Sequence, residues 1–327
     1  MATRRSFVAG ALALAAAPFA ARAQEKPGGR VYTIGVLDPA PLAANRANID
    51  EFRKGLKDLG YEEGRNLRLE YRAGDARAER YRALAAELVR ARADLIVTSG
   101  TPATLAAKSV ALPVVTATVL DPVDTGLVAS LDRPGANVTG LAVVTSELEA
   151  KRLELLKALA PATKRVAAFM DMGNPAIVFA WHAIEAAAPA LKLEVALFDV
   201  RKGKKLARAF DAAAAQKCDA FILRVGGLTD DDRRGIVAAA TKRRWPAIFA
   251  VRQWVDAGGL MSYGVNTSYM YNRAAVFADK ILKGAKPAEL PMERPSKFEF
   301  VVNRKTARAL ELVIPPDLLL RSDEVVG

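Results

Sequence analysis

Three segments of this chain pair a helix-capping residue with proline: Thr101-Pro102, Asp121-Pro122 and Asn174-Pro175. Such a pair starts a helix, because the side-chain oxygen satisfies a free backbone amide. Proline presets the first turn and lacks a hydrogen that would be unpaired there anyway. Placed at the carboxyl ends of parallel strands, these starts face the crevices where α/β proteins hold ligands. Free amides and the positive end of the helix dipole then suit a carboxylate or another anion. Every α/β protein also needs caps for purely structural reasons. The strongest of the three is Ser99-Gly100-Thr101, since Gly100 lets a ligand approach the backbone and two hydroxyls flank it.

Arg224 follows an apolar run and precedes Val225-Gly226-Gly227, so its guanidinium is placed to pair a carboxylate bidentately. A salt bridge to Asp230, Asp231 or Asp232 is the competing reading. Tyr263, between Ser262 and Gly264, offers either a ring and hydroxyl to a cleft or simple core packing, and Arg252 and Trp254 invite the same two readings. Ligand-binding candidates are therefore Ser99, Gly100, Thr101, Asp121, Asn174, Arg224 and Tyr263. Catalysis finds little support: His182 is the single histidine and falls in a helical stretch, and the chain contains no Gly-x-Ser-x-Gly elbow, phosphate loop, dinucleotide fingerprint or HExxH zinc motif. We expect no enzyme activity, no catalytic residue, no metal and no cofactor.

The elements that must position these residues alternate strand and helix. Val31 to Leu37 is a β-branched run of the kind buried in a parallel sheet, Phe52, Leu56 and Leu59 recur at helical spacing, and Leu67 to Tyr71 alternates as a strand does. Tyr81, Leu84, Ala85, Leu88 and Val89 form one helical face, followed by strands Leu95 to Thr98 and Val114 to Thr118. Right-handed crossovers between parallel strands make a doubly wound sheet. After Asn137-Val138-Thr139-Gly140 the pattern restarts: helix Ser146 to Leu159, strand Val166 to Met170, helix Pro175 to Ala188, strand Leu193 to Phe198, helix Lys204 to Gln216, strand Phe221 to Arg224, helix Asp230 to Arg244 and strand Ile248 to Val251. A late helix carrying Ala274, Phe277, Ala278 and Ile281 is expected to return to the first sheet, with hinges near Val144, Val265 and Phe298. The expected division is residues 31–144 completed by 266–297 for one lobe, and 145–265 completed by 298–327 for the other.

The amino terminus reads as an export signal: Arg4-Arg5, then an uncharged stretch from Phe7 to Ala21, then Ala21-Arg22-Ala23 before a break. Residues 1–23 are expected to be cleaved and 24–30 to form a linker. The stretch falls short of the roughly 20 apolar residues of a membrane span, and the paired arginines suit the twin-arginine route, although the general secretion route also accepts such a leader. No cysteine stands at the cleavage point, so no lipid anchor is expected, and the single Cys218 precludes an internal disulfide and reads as a buried thiol. Losing Arg4, Arg5 and Arg22 with the leader lowers the formal charge from +12 to +9. What remains is dispersed among acidic residues on stretches such as Glu147 to Lys157, which read as solvated faces. Without basic-aromatic interleaving, nucleic-acid binding is not expected.

The motifs Gly35-Val36-Leu37, Phe52 to Gly64, Gly100-Thr101-Pro102-Ala103, Asp121-Pro122-Val123, Gly126 to Leu131, Arg133 to Gly140, Lys151 to Leu156, Ala257 to Gly264, Ala278 to Gly284 and Ile314-Pro315-Pro316 occur in this order. Together they resemble the substrate-binding proteins of ABC transporters related to tryptophan and tyrosine uptake, over almost all of residues 31–325. The resemblance implies an α/β fold of two doubly wound Rossmann-like lobes joined by a three-stranded hinge, the type I periplasmic-binding arrangement. It further implies a monomeric periplasmic receptor that closes on a small carboxylate-bearing molecule, an amino acid or aromatic acid, and delivers it to an ABC permease in the inner membrane. Ser99 to Thr101, Asp121, Asn174 and Tyr263 fall on the family's cleft-lining positions. Met170 to Gly173 and Arg224 depart from the pattern of the relatives, and Arg224 suits an acid with a second anionic group. A receptor for a membrane sensor and an extracytoplasmic enzyme are the alternative functions.

Overall fold

The computed structural model describes residues 29–75, 77–201, 206–226 and 228–327. The leader, its cleavage point, most of the linker and the start of the helix expected from Lys204 lie outside the described residues.

The first half alternates β1 (Tyr32–Asp38), α1 (Leu42–Asp58), β2 (Leu67–Ala73), α2 (Ala78–Arg90), β3 (Leu95–Ser99), α3 (Thr101–Lys108), β4 (Val114–Leu120) and β5 (Val138–Val143). All described pairings in this sheet are parallel, in the order β2-β1-β3-β4-β5. The strands are apolar on both faces because helices cover both: α2 and α3 meet Leu37, Ile96, Val114 and Val119 on one side, while α1 packs over Ile34, Val36, Leu95 and Val97 on the other.

The second half runs α4 (Thr145–Leu159), β6 (Arg165–Met170), α5 (Pro175–Ala187), β7 (Glu194–Asp199), α6 (Leu206–Ala215), β8 (Ala220–Arg224), α7 (Asp230–Arg243), β9 (Ala247–Phe249), α8 (Gln253–Asp256) and β10 (Met261–Val265). It continues with α9 (Thr267–Leu282), β11 (Phe298–Asn303), α10 (Arg304–Ala309), α11 (Pro316–Arg321) and β12 (Glu324–Val326). The second sheet has the order β12-β11-β10-β9-β8-β6-β7, parallel except where β10 meets β11. Its outer face is held by a cluster of rings in which Phe169, Phe210 and Phe221 lie 4.8–5.6 Å apart. Cys218 is buried beside this cluster, and burial raises its thiol pKa. His182 is exposed on α5.

Three connections join the sheets. Strand β5 ends at Val143 and α4 begins two residues later, burying Leu148 in the core of the first sheet and Leu153, Leu155, Leu156 and Leu159 in that of the second. Strand β10 belongs to the second sheet, yet the helix it feeds, α9, buries Met270, Tyr271, Ala274 and Ala278 against α1 and the first sheet. The chain then touches the edge of β5, where Glu293 bonds Gly140 and Ala142, before entering β11. Strands β5, β11 and β12 have no counterpart in the periodicity reading, and strand 248–251 is shorter than expected, because Ala250 bends away towards the cleft.

Candidate ligand-binding site

Between the lobes lies a cleft of about 530 Å³. Its first-lobe wall is the carboxyl end of the parallel sheet: Ser99 at the end of β3 and Gly100 after it, Thr118 and Leu120 of β4, and Tyr81 from α2. The facing wall carries Asp171 and Asn174 after β6, Arg224 at the end of β8, Trp254 of α8 and Ile177 of α5. Val143, Leu148 and Val265 close the side nearest the chain crossings. Tyr81 is set deep because Gly74 leaves room for its ring, where a Cβ would lie 2.1 Å from a ring carbon. Burial raises its hydroxyl pKa, and the charges of Asp38 and, from the opposite lobe, Asp171 push the same way. Trp254 lies flat on Phe249, with ring centroids 4.6 Å apart and planes 7° from parallel.

Four of the residues expected from sequence meet here: Ser99, Gly100, Asn174 and Arg224. Gly100, not Thr101, occupies the N-cap of α3, with a φ of 82° that favours glycine. Asn174 caps α5 by accepting the Ala176 N–H at 3.1 Å, which leaves its amide nitrogen as the group able to donate to a ligand.

The other three lie outside the cleft lining. Thr101 is fully buried, and its hydroxyl donates to the Leu120 carbonyl oxygen at 3.2 Å, stitching α3 to β4. Asp121-Pro122 opens a run of turns in place of a helix, and the Asp121 carboxylate caps α4 across the first crossing, accepting the Thr145 N–H and hydroxyl. Burial raises its pKa and the bonds from Thr145 oppose that. Tyr263 packs its ring against Phe298 and Phe300 at the edge of both cores, and its carbonyl oxygen accepts a hydrogen bond from Arg152, which lines the cleft.

That carbonyl leads to residues the sequence reading missed. Glu149 and Arg152, on the α4 stretch expected to be a solvated face, are both buried. Arg152 Nη1 donates to Glu149 Oε1 at 2.6 Å, and its Nε donates to the Tyr263 carbonyl at 2.7 Å. Burial lowers the Arg152 pKa, with Glu149 opposing and Arg224 adding to the effect. Arg224 Nε stands 3.1 Å from the same Glu149 oxygen. The competing reading, an Arg224 salt bridge to the 230–232 run, gives way to Glu149: Arg233 and Arg234 take Asp230 and Asp231, and Asp232 forms the capping box of α7 with Thr229. Arg252 points away from the cleft into Glu299 and Glu324, while Trp254, two residues on, lines it. The signal that separates Arg152 from its neighbours is spacing: Glu149 and Arg152 share the helix face occupied by Leu148, Leu153 and Leu156, where a charge is buried.

Beneath the first-lobe wall, Asp38 at the end of β1 accepts hydrogen bonds from Tyr271 Oη at 2.5 Å, Asn45 Nδ2 at 2.7 Å and the Ala40 N–H at 2.8 Å. Burial pushes its carboxyl up to about 6 against these bonds. Tyr271 lies on α9, so this buried network ties the returning helix to the floor of the cleft.

Known proteins share this architecture. The family described as ABC transporter substrate binding protein matches residues 33–326. A tyrosine-binding protein of Clostridioides difficile is 25% identical over 265 residues, which is 80% of this chain and 75% of that one. Among solved structures, an ABC domain in complex with L-Trp from Streptococcus pneumoniae superimposes with a TM-score of 0.83 at 25% identity, covering 90% of this chain and all of that one. A conserved domain protein from Vibrio cholerae gives the same TM-score, identity and coverage. The two lobes are therefore those of the type I periplasmic-binding fold, and the chain belongs to the family of ABC transporter substrate-binding proteins.

Proposed function

We propose that this protein is an exported receptor that captures a small carboxylate-bearing organic molecule between its lobes, an amino acid or aromatic acid, and presents it to an ABC permease. The single observation that carries the reading is the cleft itself. Its volume of about 530 Å³ is in the roughly 300–1,000 Å³ range of small-molecule sites. Its walls join Tyr81, Leu148, Ile177 and Trp254 to a short set of polar groups, Ser99, Gly100, Asn174 and Arg224. Apolar side chains desolvate the body of the ligand. The first turn of α3, the Asn174 amide and the Arg224 guanidinium meet its charged end. Relatives whose descriptions name tyrosine and L-Trp support an aromatic ligand, and the rings of Tyr81 and Trp254 suit one.

In this reading the lobes are residues 31–144 with 266–297 and residues 145–265 with 298–327, and they close about the three connections near Val144, Val265 and Phe298. In the same reading the receptor acts as a monomer in the periplasm once residues 1–23 are removed. No described helix is long and apolar enough to cross a membrane.

Thermal-shift screening of the protein against L-tryptophan, L-tyrosine, aromatic acids and dicarboxylates tests the reading, because a ligand that binds only the native state raises its Tm. At least one compound is expected to raise Tm saturably and to come back unconverted. A screen in which none of these classes shifts Tm, or in which the best binder is turned over, rejects it.

A further inference from the structure

The polar wall around Arg224 has an unusual charge balance. Two guanidinium groups converge on one carboxylate oxygen, Glu149 Oε1, at 2.6 Å from Arg152 and 3.1 Å from Arg224. The three side chains are 0%, 3% and 10% exposed for Glu149, Arg152 and Arg224. Arg152 is well housed, since it donates both to Glu149 and to the Tyr263 carbonyl. Arg224 is not: its Nε makes no hydrogen bond of acceptable geometry among the described residues, and neither does Glu149 Oε2. Asp121 is close enough to feel the Arg224 charge and offsets part of it through space, but its two oxygens accept from Thr145 and no described bond joins it to the guanidinium.

We propose that Arg224 is a surplus buried cation, held in the cleft wall beyond what Glu149 neutralises, and that one carboxylate of the bound solute supplies the missing negative charge. The inference rests on the reading of the cleft as a solute site and adds to it why Arg224 is held there: the charge it offers the ligand is one that the empty protein leaves uncompensated. A buried guanidinium without full compensation opposes folding, whereas Glu149 and Arg152 alone form a hydrogen-bonded, neutral pair. Arg224 therefore serves the ligand at the expense of the ligand-free fold. A residue kept for structure has the opposite signature, because removing one partner of a needed buried pair strands the other charge. The carboxylate docks on the second-lobe wall, beside α4, and so pulls on the helix that leaves the first crossing.

Two measurements on the full chain and its Arg224→Met variant decide the matter without knowing the natural ligand. The first is Tm without ligand, where the variant is expected to equal or exceed the wild type. The second is the Tm shift produced by sodium benzoate compared with benzamide, at ionic strength held with sodium chloride; the two probes share an apolar ring and differ in the carboxylate. Benzoate at 10 mM is expected to raise wild-type Tm about 2–4 °C more than benzamide, and Arg224→Met is expected to lose that increment. Glu149→Gln, where it folds, leaves both guanidiniums unopposed and is expected to enlarge the increment. A drop in the ligand-free Tm of Arg224→Met overturns the proposal, as does a wild type that responds equally to both probes or an increment that survives the substitution. If the best binder of the screen is turned over while the benzoate increment behaves as expected, the receptor reading above falls and the surplus-charge site stands.

Discussion

The Asp121 carboxylate accepts the Thr145 N–H at 2.9 Å and the Thr145 hydroxyl at 2.6 Å, so a side chain at the end of the fourth strand caps the helix that begins the second lobe. Helix α4 has no cap of its own, because Val144 stands at the N-cap with no oxygen to offer. Asp121 also adopts a φ of 45°, a left-handed conformation that Asp tolerates better than most residues. Asp121→Ala removes the cap and strains the backbone together, and is expected to cost about 2 kcal/mol in urea unfolding. Asp121→Asn keeps an acceptor for the Thr145 N–H and should lose less. Equal loss in the two variants would assign the effect to something other than the cap.

Arg152 and Arg224 touch the same carboxylate oxygen, yet their removal should act in opposite directions on the empty protein. Arg152→Met leaves Glu149 without its one well-formed ion pair and the Tyr263 carbonyl without its donor, at a cost of about 3–5 kcal/mol. Denaturant unfolding of the two variants side by side checks the contrast, and a loss for Arg152→Met no larger than about 1 kcal/mol would mean that Arg224 takes over the Glu149 carboxylate.

Asp38 makes a pH-dependent contribution whose sign follows from its direction of shift. The folded protein keeps the proton up to about pH 6, while the unfolded chain releases it near the ordinary aspartate value of 3.8. The contribution of this group to stability therefore falls as pH rises from about 4 to about 6 and is level above, a total of roughly 3 kcal/mol. Carboxylates held low by arginine or lysine, such as Glu70 and Glu154, act oppositely but are common to wild type and variant. The stability difference between wild type and Asp38→Asn is thus expected to move in favour of the variant across that window. A difference that stays flat from pH 4 to pH 7 would show that Asp38 titrates normally.

Gly264 permits the close passage of β10 beside the bend after β9, since a Cβ there would lie 1.9 Å from the Ala250 carbonyl oxygen and 3.1 Å from Arg152 Nη2. Its φ is not the issue; the space is. Gly264→Ala forces apart the strand that feeds the second crossing and is expected to cost about 3 kcal/mol. Weaker binding of whichever compound scores in the thermal-shift screen should accompany it, because Ala250 and Arg152 both line the cleft. Unchanged affinity with reduced stability would separate the strand contact from the site.

Much of the fold was legible along the chain because it rests on local periodicity. The apolar runs at Leu95 to Thr98 and Val166 to Met170 lie within strands of the two sheets, and the spacing of Ala274, Phe277, Ala278 and Ile281 marks a helix whose buried face meets the first sheet. Strands β5, β11 and β12 were not legible, since their pairing partners are supplied by distant segments and their own sequences carry no distinctive alternation. The polar half of the cleft was legible only in part. Ser99, Gly100 and Asn174 carry a local signature, that of glycine or a capping residue before a proline helix start. Glu149 and Arg152 lie on a charge-rich helix that reads as a solvated surface, and only their spacing with Leu148, Leu153 and Leu156 sets them apart from Lys151 and Glu154, which pair at the surface.

What the sequence determined by itself was the alternation of buried strands and amphipathic helices, and with it two doubly wound halves whose loops gather at the carboxyl ends of the strands. Those features depend on neighbours within a few residues, where backbone geometry alone sets which side chains share a face. Only the tertiary structure decided which charges are buried and whom they meet: Asp121 turned from the cleft to Thr145, and Glu149 placed between Arg152 and Arg224. Burial of a charge is a property of what packs over it, and here the packing comes from strands far along the chain, folded back across three crossings.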